Sequence, residues 1–315
     1  MKRFVAHSTI FAGMAFLLLA AVLFIPNPAV KHNMLGALLD KHEMLRKTGR
    51  TGPRIVVIGG SNVAYGLDSK CVQQALHIPV VNAGLHAGLG MKFYLTDVKP
   101  YIREGDIVLV IPEYSQYYTD SFYGSMELVS VLFDVYRDGM KQIDAKQWWY
   151  LMRFIPFYAA SKLKILKEPG ATEPVGVYDR KAFNGFGDAY VHWTRPGIKF
   201  KAAQKAKEED RVNPESMRFL VDFQEFVEAK NATILLLPPA YQSTSFVNQK
   251  PMIDRIYRSI KEYNLPIIAI PGRYELPDSL FFDTSYHLIQ PGIERRSKLI
   301  VEDLTHYIIR SGHQL

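Results

Sequence analysis

Apolar positions follow two rhythms along the chain. Five short runs are almost wholly aliphatic and end at glycine or proline: "RIVVIGG" at 54–60, "IPVVNAG" at 78–84, "DIVLVIPEY" at 106–114, "ATILLLPP" at 232–239 and "LPIIAIPG" at 265–272. Runs of this kind predict strands covered on both faces, hence a parallel sheet. Amphipathic stretches lie between them: "GLDSKCVQQALH", with Asp68 or Ser69 as its N-cap, "GMKFYLTDVKPYI", "PESMRFLVDFQEFVEAKN", "QKPMIDRIYRSIKEYN" and "GIERRSKLIVEDLTHYIIRSG". Strands alternating with helices predict an α/β domain, three-layer α/β/α around a central, mainly parallel five-stranded sheet. The rhythm breaks from Ser115 to about Ser216, where "QYYTDSFYG", "QWWYLMRFIPFY" and "YDRKAFNGFGDAYVHW" mark an aromatic-rich insertion. Its Trp148, Trp149, Tyr150, Phe154, Phe157 and Tyr158 either pack a helical subdomain or face sugars or lipid.

A third pattern opens the chain. No charge occurs from Phe4 to Pro26, directly after Lys2 and Arg3. About 20 apolar residues suffice to span a bilayer as a helix, and basic residues before the span place the rest of the chain outside the cytoplasm. A cleaved signal peptide is the rival reading, but Ile25-Pro26-Asn27-Pro28 comes after the leucine-rich run in place of a small-x-small cleavage site. The expected organisation is therefore a transmembrane anchor at 1–30, a stalk helix and linker at 31–53, and an α/β domain at 54–315 with its insertion at 115–216.

Composition adds limits. With 38 basic and 31 acidic residues the net charge is +7, yet no dense basic run or nucleic-acid motif accompanies it. A nucleic-acid partner is not expected. Cys71 is the only cysteine, which excludes an intrachain disulfide and a multi-cysteine metal site.

Ligands of a parallel sheet bind beyond the carboxyl ends of its strands. There "VVIGGSNVAYG" sets Ser61 after two glycines, either as a nucleophile or as a turn cap or anion-binding hydroxyl. "VVNAGLHAGLG" offers Gly84, Gly88 and Gly90 for a loop of converging amides, with His86 inside it. "FFDTSYHLIQPG" places Asp283 and His287 four residues apart, close enough for a carboxylate to fix the imidazole tautomer. A cap on the next helix is an equal reading of Asp283. "FNGFGDAYVHW" contributes Asn184, Asp188 and His192, either reaching over the site or capping a turn; a metal would lack a third ligand. Neither a P-loop nor G-x-G-x-x-G is present, so no nucleotide cofactor is expected.

In this order, a Gly-Gly-Ser after the first strand, an Asn-x-Gly loop after the second and an Asp/His loop before the last helix resemble the SGNH (GDSL-type) hydrolase superfamily, over residues 54–114 and 232–305. The resemblance implies Ser61 as nucleophile, His287 as base and Asp283 as its orienting acid, with amides of Ser61, Ala87 and Gly88 as the oxyanion hole. Asn62, His86, Asn184, Asp188 and His192 are the expected substrate contacts. Three positions depart from the family pattern: Gly60 stands in place of an aspartate, Glu113-Tyr114 in place of an oxyanion-binding asparagine, and the acid–base pair is spaced by four instead of three. In these departures the chain is similar to the membrane-anchored lipoteichoic-acid D-alanylation and alginate O-acetylation proteins. That likeness implies a serine esterase or O-acyltransferase of cell-envelope polysaccharide in the cytoplasmic (inner) membrane, without a cofactor, with an envelope glycan and a membrane-bound O-acyltransferase as partners. The alternative is an inactive scaffold of the same fold that binds glycan or that partner.

Overall fold

The structure, a computed structural model, describes residues 1–49, 52–165 and 176–311. Helix α1 (Lys2–Phe24) is long and apolar enough to cross a membrane. Phe4, Ile10, Phe11, Met14, Leu17 and Leu18 stand exposed on it, whereas Val22 and Leu23 are buried where it meets the body. A helix end leaves carbonyls without partners. Here Lys162 Nζ donates to the Leu23 and Ile25 carbonyls at 2.6 and 2.8 Å and pairs with Asp134 at 2.7 Å. Asp134 also accepts from the Asn27 amide at 2.8 Å.

The segment expected to form a stalk makes α2 (Pro28–His32) and α3 (Ala37–Lys47) and lies against the body. Leu38 and Leu45 are buried. Lys41 Nζ donates to the carbonyls of Asn82 and Gly187 at 2.9 and 2.7 Å, and His42 meets Asp97 at 2.6 Å. Burial pushes the Lys41 ammonium down to about 7.

Strand β1 (Ile55–Gly59) leads through the short helix α4 (Ser61–Ala64) to α5 (Ser69–Leu76), where Asp68 caps the helix by accepting from Cys71 N. Then come β2 (Val80–Asn82), α6 (Met91–Val98) and β3 (Ile107–Ile111). The insertion carries α7 (Met126–Ser130), α8 (Ala145–Leu151) and α9 (Ile155–Ile165). After it the chain forms α10 (Pro214–Glu228), β4 (Thr233–Leu236), β5 (Tyr241–Gln242), α11 (Ser243–Glu262), β6 (Glu275–Leu276) and α12 (Gln290–Ser311).

The main sheet has four parallel strands in the order β2-β1-β3-β4. Alternation along each strand sends Val56, Ile58, Val108, Val110, Ile234 and Leu236 into one cluster with Leu95, Leu220 and Ile253. Ile55, Val57, Ile107, Leu109 and Leu235 face the other way, onto Val72, Ile300 and Leu304. Helices therefore cover both faces, as wholly apolar strands require. Gly59 lies opposite Ile111, and Val57 opposite Asn82. That register brings Ser61, the loop after Asn82 and Glu113 to one rim.

The expected fifth strand does not form. "LPIIAIPG" contributes a single parallel bridge, Ile267 to Leu236. Pro266 and Pro271 have no N–H to donate, and the Ile267 amide turns back to the Leu265 carbonyl at 2.8 Å. A two-stranded parallel pair, β5 with β6, lies apart from the main sheet. In the insertion, Leu128, Leu132, Leu151 and Tyr158 pack with Val30, Met34, Leu35 and Leu38. The insertion thus sits on the segment that leaves α1.

Candidate active site

Ser61 comes directly after β1 because Gly60 lets the backbone pass through a narrow gap. A Cβ built on Gly60 would lie 2.8 Å from Glu113 Oε1, 2.9 Å from Ala87 Cα and 3.0 Å from Ala87 N. No side chain fits there, the aspartate of the resembling family included. The Ser61 hydroxyl donates to Glu113 Oε1 at 3.2 Å, and the Asn62 amide donates to the same oxygen at 3.2 Å. Burial pushes the Glu113 carboxyl up, against the opposing pull of His287, of these two hydrogen bonds and of Arg296.

Asp283 and His287 lie on a loop before α12, not on the helix itself. Thr284 Oγ1 accepts from the amides of Tyr286 and His287 at 3.2 and 3.0 Å, which folds the loop tightly. His287 Nδ1 is 2.8 Å from Asp283 Oδ1. Tyr178 donates its hydroxyl to Asp283 Oδ2 and lies 3.3 Å from His287 Nδ1. Tyr65 stacks on the imidazole at 4.6 Å between centroids. Burial pushes the Asp283 carboxyl up, but the bonds and charge of His287 and Tyr178 outweigh it and hold the group below its ordinary range. With Nδ1 engaged, Nε2 is the nitrogen left for proton transfer.

Ser61, His86, Ala87, Glu113 and His287 line one cavity of about 720 Å³, which continues to Asn27, Ala29, Val30 and Met34 just after α1. This falls within the range of small-molecule sites. Ser61 and His287 thus share a cavity, but no hydrogen bond joins them. The single hydroxyl proton is given to Glu113, so attack on a carbonyl requires it to turn toward Nε2.

Among the described residues, no acceptor takes the amide N–H of Ser61 or of Ala87. Gln116 Nε2 holds the Ala87 carbonyl at 3.0 Å and fixes that loop. The Gly88 amide, expected in the oxyanion hole, is already committed to His86 Nδ1 at 2.9 Å. Burial lowers the affinity of that imidazole for a second proton, which keeps the ring an acceptor.

Four expected substrate contacts face away from the cavity. Asn62 is fully buried, and its Nδ2 donates to the Ile111 carbonyl at 3.0 Å, tying α4 to β3. Asn184 Oδ1 accepts from the amides of Phe186 and Asp188 at 2.9 and 3.0 Å and closes a turn. Asp188 is buried, accepting from Ser69 N and Oγ at 2.9 and 2.6 Å and from Asn82 Nδ2 at 2.8 Å. His192 is buried too, with Nε2 3.1 Å from the Leu288 carbonyl and 3.3 Å from that of Tyr65. The loop crosses beside β2, where the Asn82 amide donates to the Phe186 carbonyl at 2.8 Å, so its polar groups are consumed behind the site. His86 alone of the expected contacts lines the cavity. Tyr178, Tyr65 and Gln116 carried no sequence signal, and Glu113 stood out only as a departure from the family pattern. Among the described residues, no cluster of three or more His, Cys, Asp or Glu has the arrangement of a metal site.

No family model matches the chain, and no curated protein matches it. Among solved structures, protein YxiM from Bacillus subtilis aligns with 82% of this chain at 14% identity and a TM-score of 0.37. The chain spans 57% of that protein's length. A likeness this distant carries no weight for fold or function.

Proposed function

We propose that this chain is a membrane-anchored serine esterase or O-acyltransferase that works outside the cytoplasm on acyl esters of cell-envelope polysaccharide. The observation that carries the reading is a single cavity shared by the Ser61 hydroxyl and an imidazole oriented by Asp283. Ser61 Oγ attacks the acyl carbonyl and its proton passes to His287 Nε2. The amides of Ser61 and Ala87 receive the oxyanion. Collapse expels the alcohol, which takes the proton from His287, and leaves an acyl-Ser61 ester. Water or a sugar hydroxyl then attacks that ester with His287 again as base. Water gives deacylation; a sugar hydroxyl gives transfer. Lys2 and Arg3 at the start of α1 favour an inside amino terminus, and the cavity's extension to Asn27 and Val30 supports a substrate met at the membrane surface.

The second reading is an inactive scaffold that binds envelope glycan or a membrane acyltransferase. One observation favours it: the Ser61 hydroxyl donates to Glu113 and not to His287. Replacement S61A separates the two. Under the enzymatic reading it abolishes release of a short acyl group from a model ester and leaves the melting temperature nearly unchanged. Activity retained in S61A overturns Ser61 as nucleophile, and activity absent from the folded wild type supports the scaffold.

A further inference from the structure

Among the described residues, Glu113 is the one side chain hydrogen-bonded to Ser61 Oγ, and the acyl-serine reaction as written gives it no part. Its two oxygens are not equivalent. Oε1 accepts both the Ser61 hydroxyl and the Asn62 amide. Oε2 makes no hydrogen bond among the described residues, although Glu113 lines the cavity. No lysine or arginine forms an ion pair with it among the described residues; the nearby Arg296 spends Nη1 on the Asn62 and Gly66 carbonyls instead. A neutral carboxylic acid fits this arrangement, with its carbonyl oxygen accepting and the other oxygen free to carry a proton.

We propose that Glu113 acts as a neutral acid whose Oε2–H is the third donor to the oxyanion, beside the amides of Ser61 and Ala87. The assignment rests on the acyl-serine reading. Position supports it: the Glu113 carboxyl lies within a hydrogen bond of the Ser61 hydroxyl and lines the same cavity as Ser61, Ala87 and His287. Chemistry requires it as well, because an ionised carboxylate at this place would repel the negative oxygen that Ser61 creates. A carboxylic acid held neutral by its surroundings can instead donate to such an oxygen. The proton inventory closes. The Ser61 proton moves to His287 and on to the leaving alcohol, while the Glu113 proton stays where it is.

Burial is the leading cause that raises the titration of Glu113. The titratable groups that face it are His287, Arg296 on α12, Tyr94 on α6, Tyr241 on β5 and Tyr286. The first two pull its titration down, and the buried tyrosines bear no charge near neutral pH because burial holds their own titrations high. Loss of the donor therefore tracks deprotonation of Glu113 itself as pH rises.

The test uses the full chain in lipid nanodiscs with E113Q and E113A, read in two ways. Infrared difference spectra of wild type minus E113Q should show the carbonyl stretch of a protonated carboxyl at neutral pH, converting to carboxylate bands as pH rises. The rate of phosphonylation of Ser61 by a fluorophosphonate should fall roughly 10²- to 10³-fold in E113A. E113Q offers a carbonyl and an N–H at the same two places, so it should recover most of that loss and remove the high-pH decline of the wild type. Absence of the acid band, or an E113Q as slow as E113A, overturns the assignment while leaving the acyl-serine reading standing. A folded wild type that the reagent never labels overturns that reading and the donor role together.

Discussion

His287 Nδ1 lies 2.8 Å from Asp283 Oδ1, and Tyr178 bonds to the other oxygen of the same carboxylate. The pair holds a defined tautomer without any helix to space it, since Thr284 folds the loop between them. H287Q should lose ester cleavage as completely as S61A. D283N should be milder, because Tyr178 remains within 3.3 Å of Nδ1 and the loop still places the ring. Steady-state rates on one model ester rank the three variants.

Removing the Tyr178 hydroxyl acts through pH. Asp283 titrates below its ordinary range partly because Tyr178 stabilises its charged form. In Y178F that support is gone, so the carboxyl titrates higher and the acid limb of the rate profile should move to higher pH. An unmoved limb would show that the tyrosine only packs.

Gly60 is required by space. G60A places a methyl 2.8 Å from Glu113 Oε1 and 2.9 Å from Ala87 Cα. Overpacking of this kind costs about 1–3 kcal/mol. The variant should lose activity and a matching part of its stability in denaturant titration.

Asp188 and His192 should matter to folding and not to the reaction. D188A leaves the donors of Ser69 and Asn82 without their acceptor, which costs roughly 3 kcal/mol. The Ser61 phosphonylation rate of the remaining folded protein should be unchanged. A substrate-binding role would instead raise KM.

For His192, burial pushes the folded-state titration down to about 4. An unfolded histidine titrates near 6.5. Between these values the unfolded chain binds the proton and the folded chain does not, so stability rises with pH across that window and is lost as pH falls through it. The contribution is up to about 3 kcal/mol. H192N should flatten that slope in melting curves taken from pH 7 down to 4.

The sheet was legible because β-branched runs such as "RIVVIGG" and "DIVLVIPEY" can be satisfied only between two covering layers. Helix starts were legible where a cap acts within three residues, as Asp68 does on Cys71. "LPIIAIPG" misled because its apolar run looks like a strand, whereas its prolines remove ladder donors. The polar groups of "FNGFGDAYVHW" suggested a substrate-facing loop, yet their partners Ser69 and Asn82 lie far away in sequence. Asp188 meets Ser69 across 119 positions, and Tyr178 meets Asp283 across 105. Local pattern carries no record of such pairings. The same holds for the choice of the Ser61 hydroxyl between Glu113 and His287.

The most direct measurement is the mass of the adduct formed when the full chain, in a bilayer at neutral pH, meets a fluorophosphonate. One phosphonyl group on the peptide containing Ser61, blocked in S61A and slowed to background in H287Q, is the predicted result. A wild type that stays unlabelled with its fold intact, or is labelled at another residue, contradicts the account.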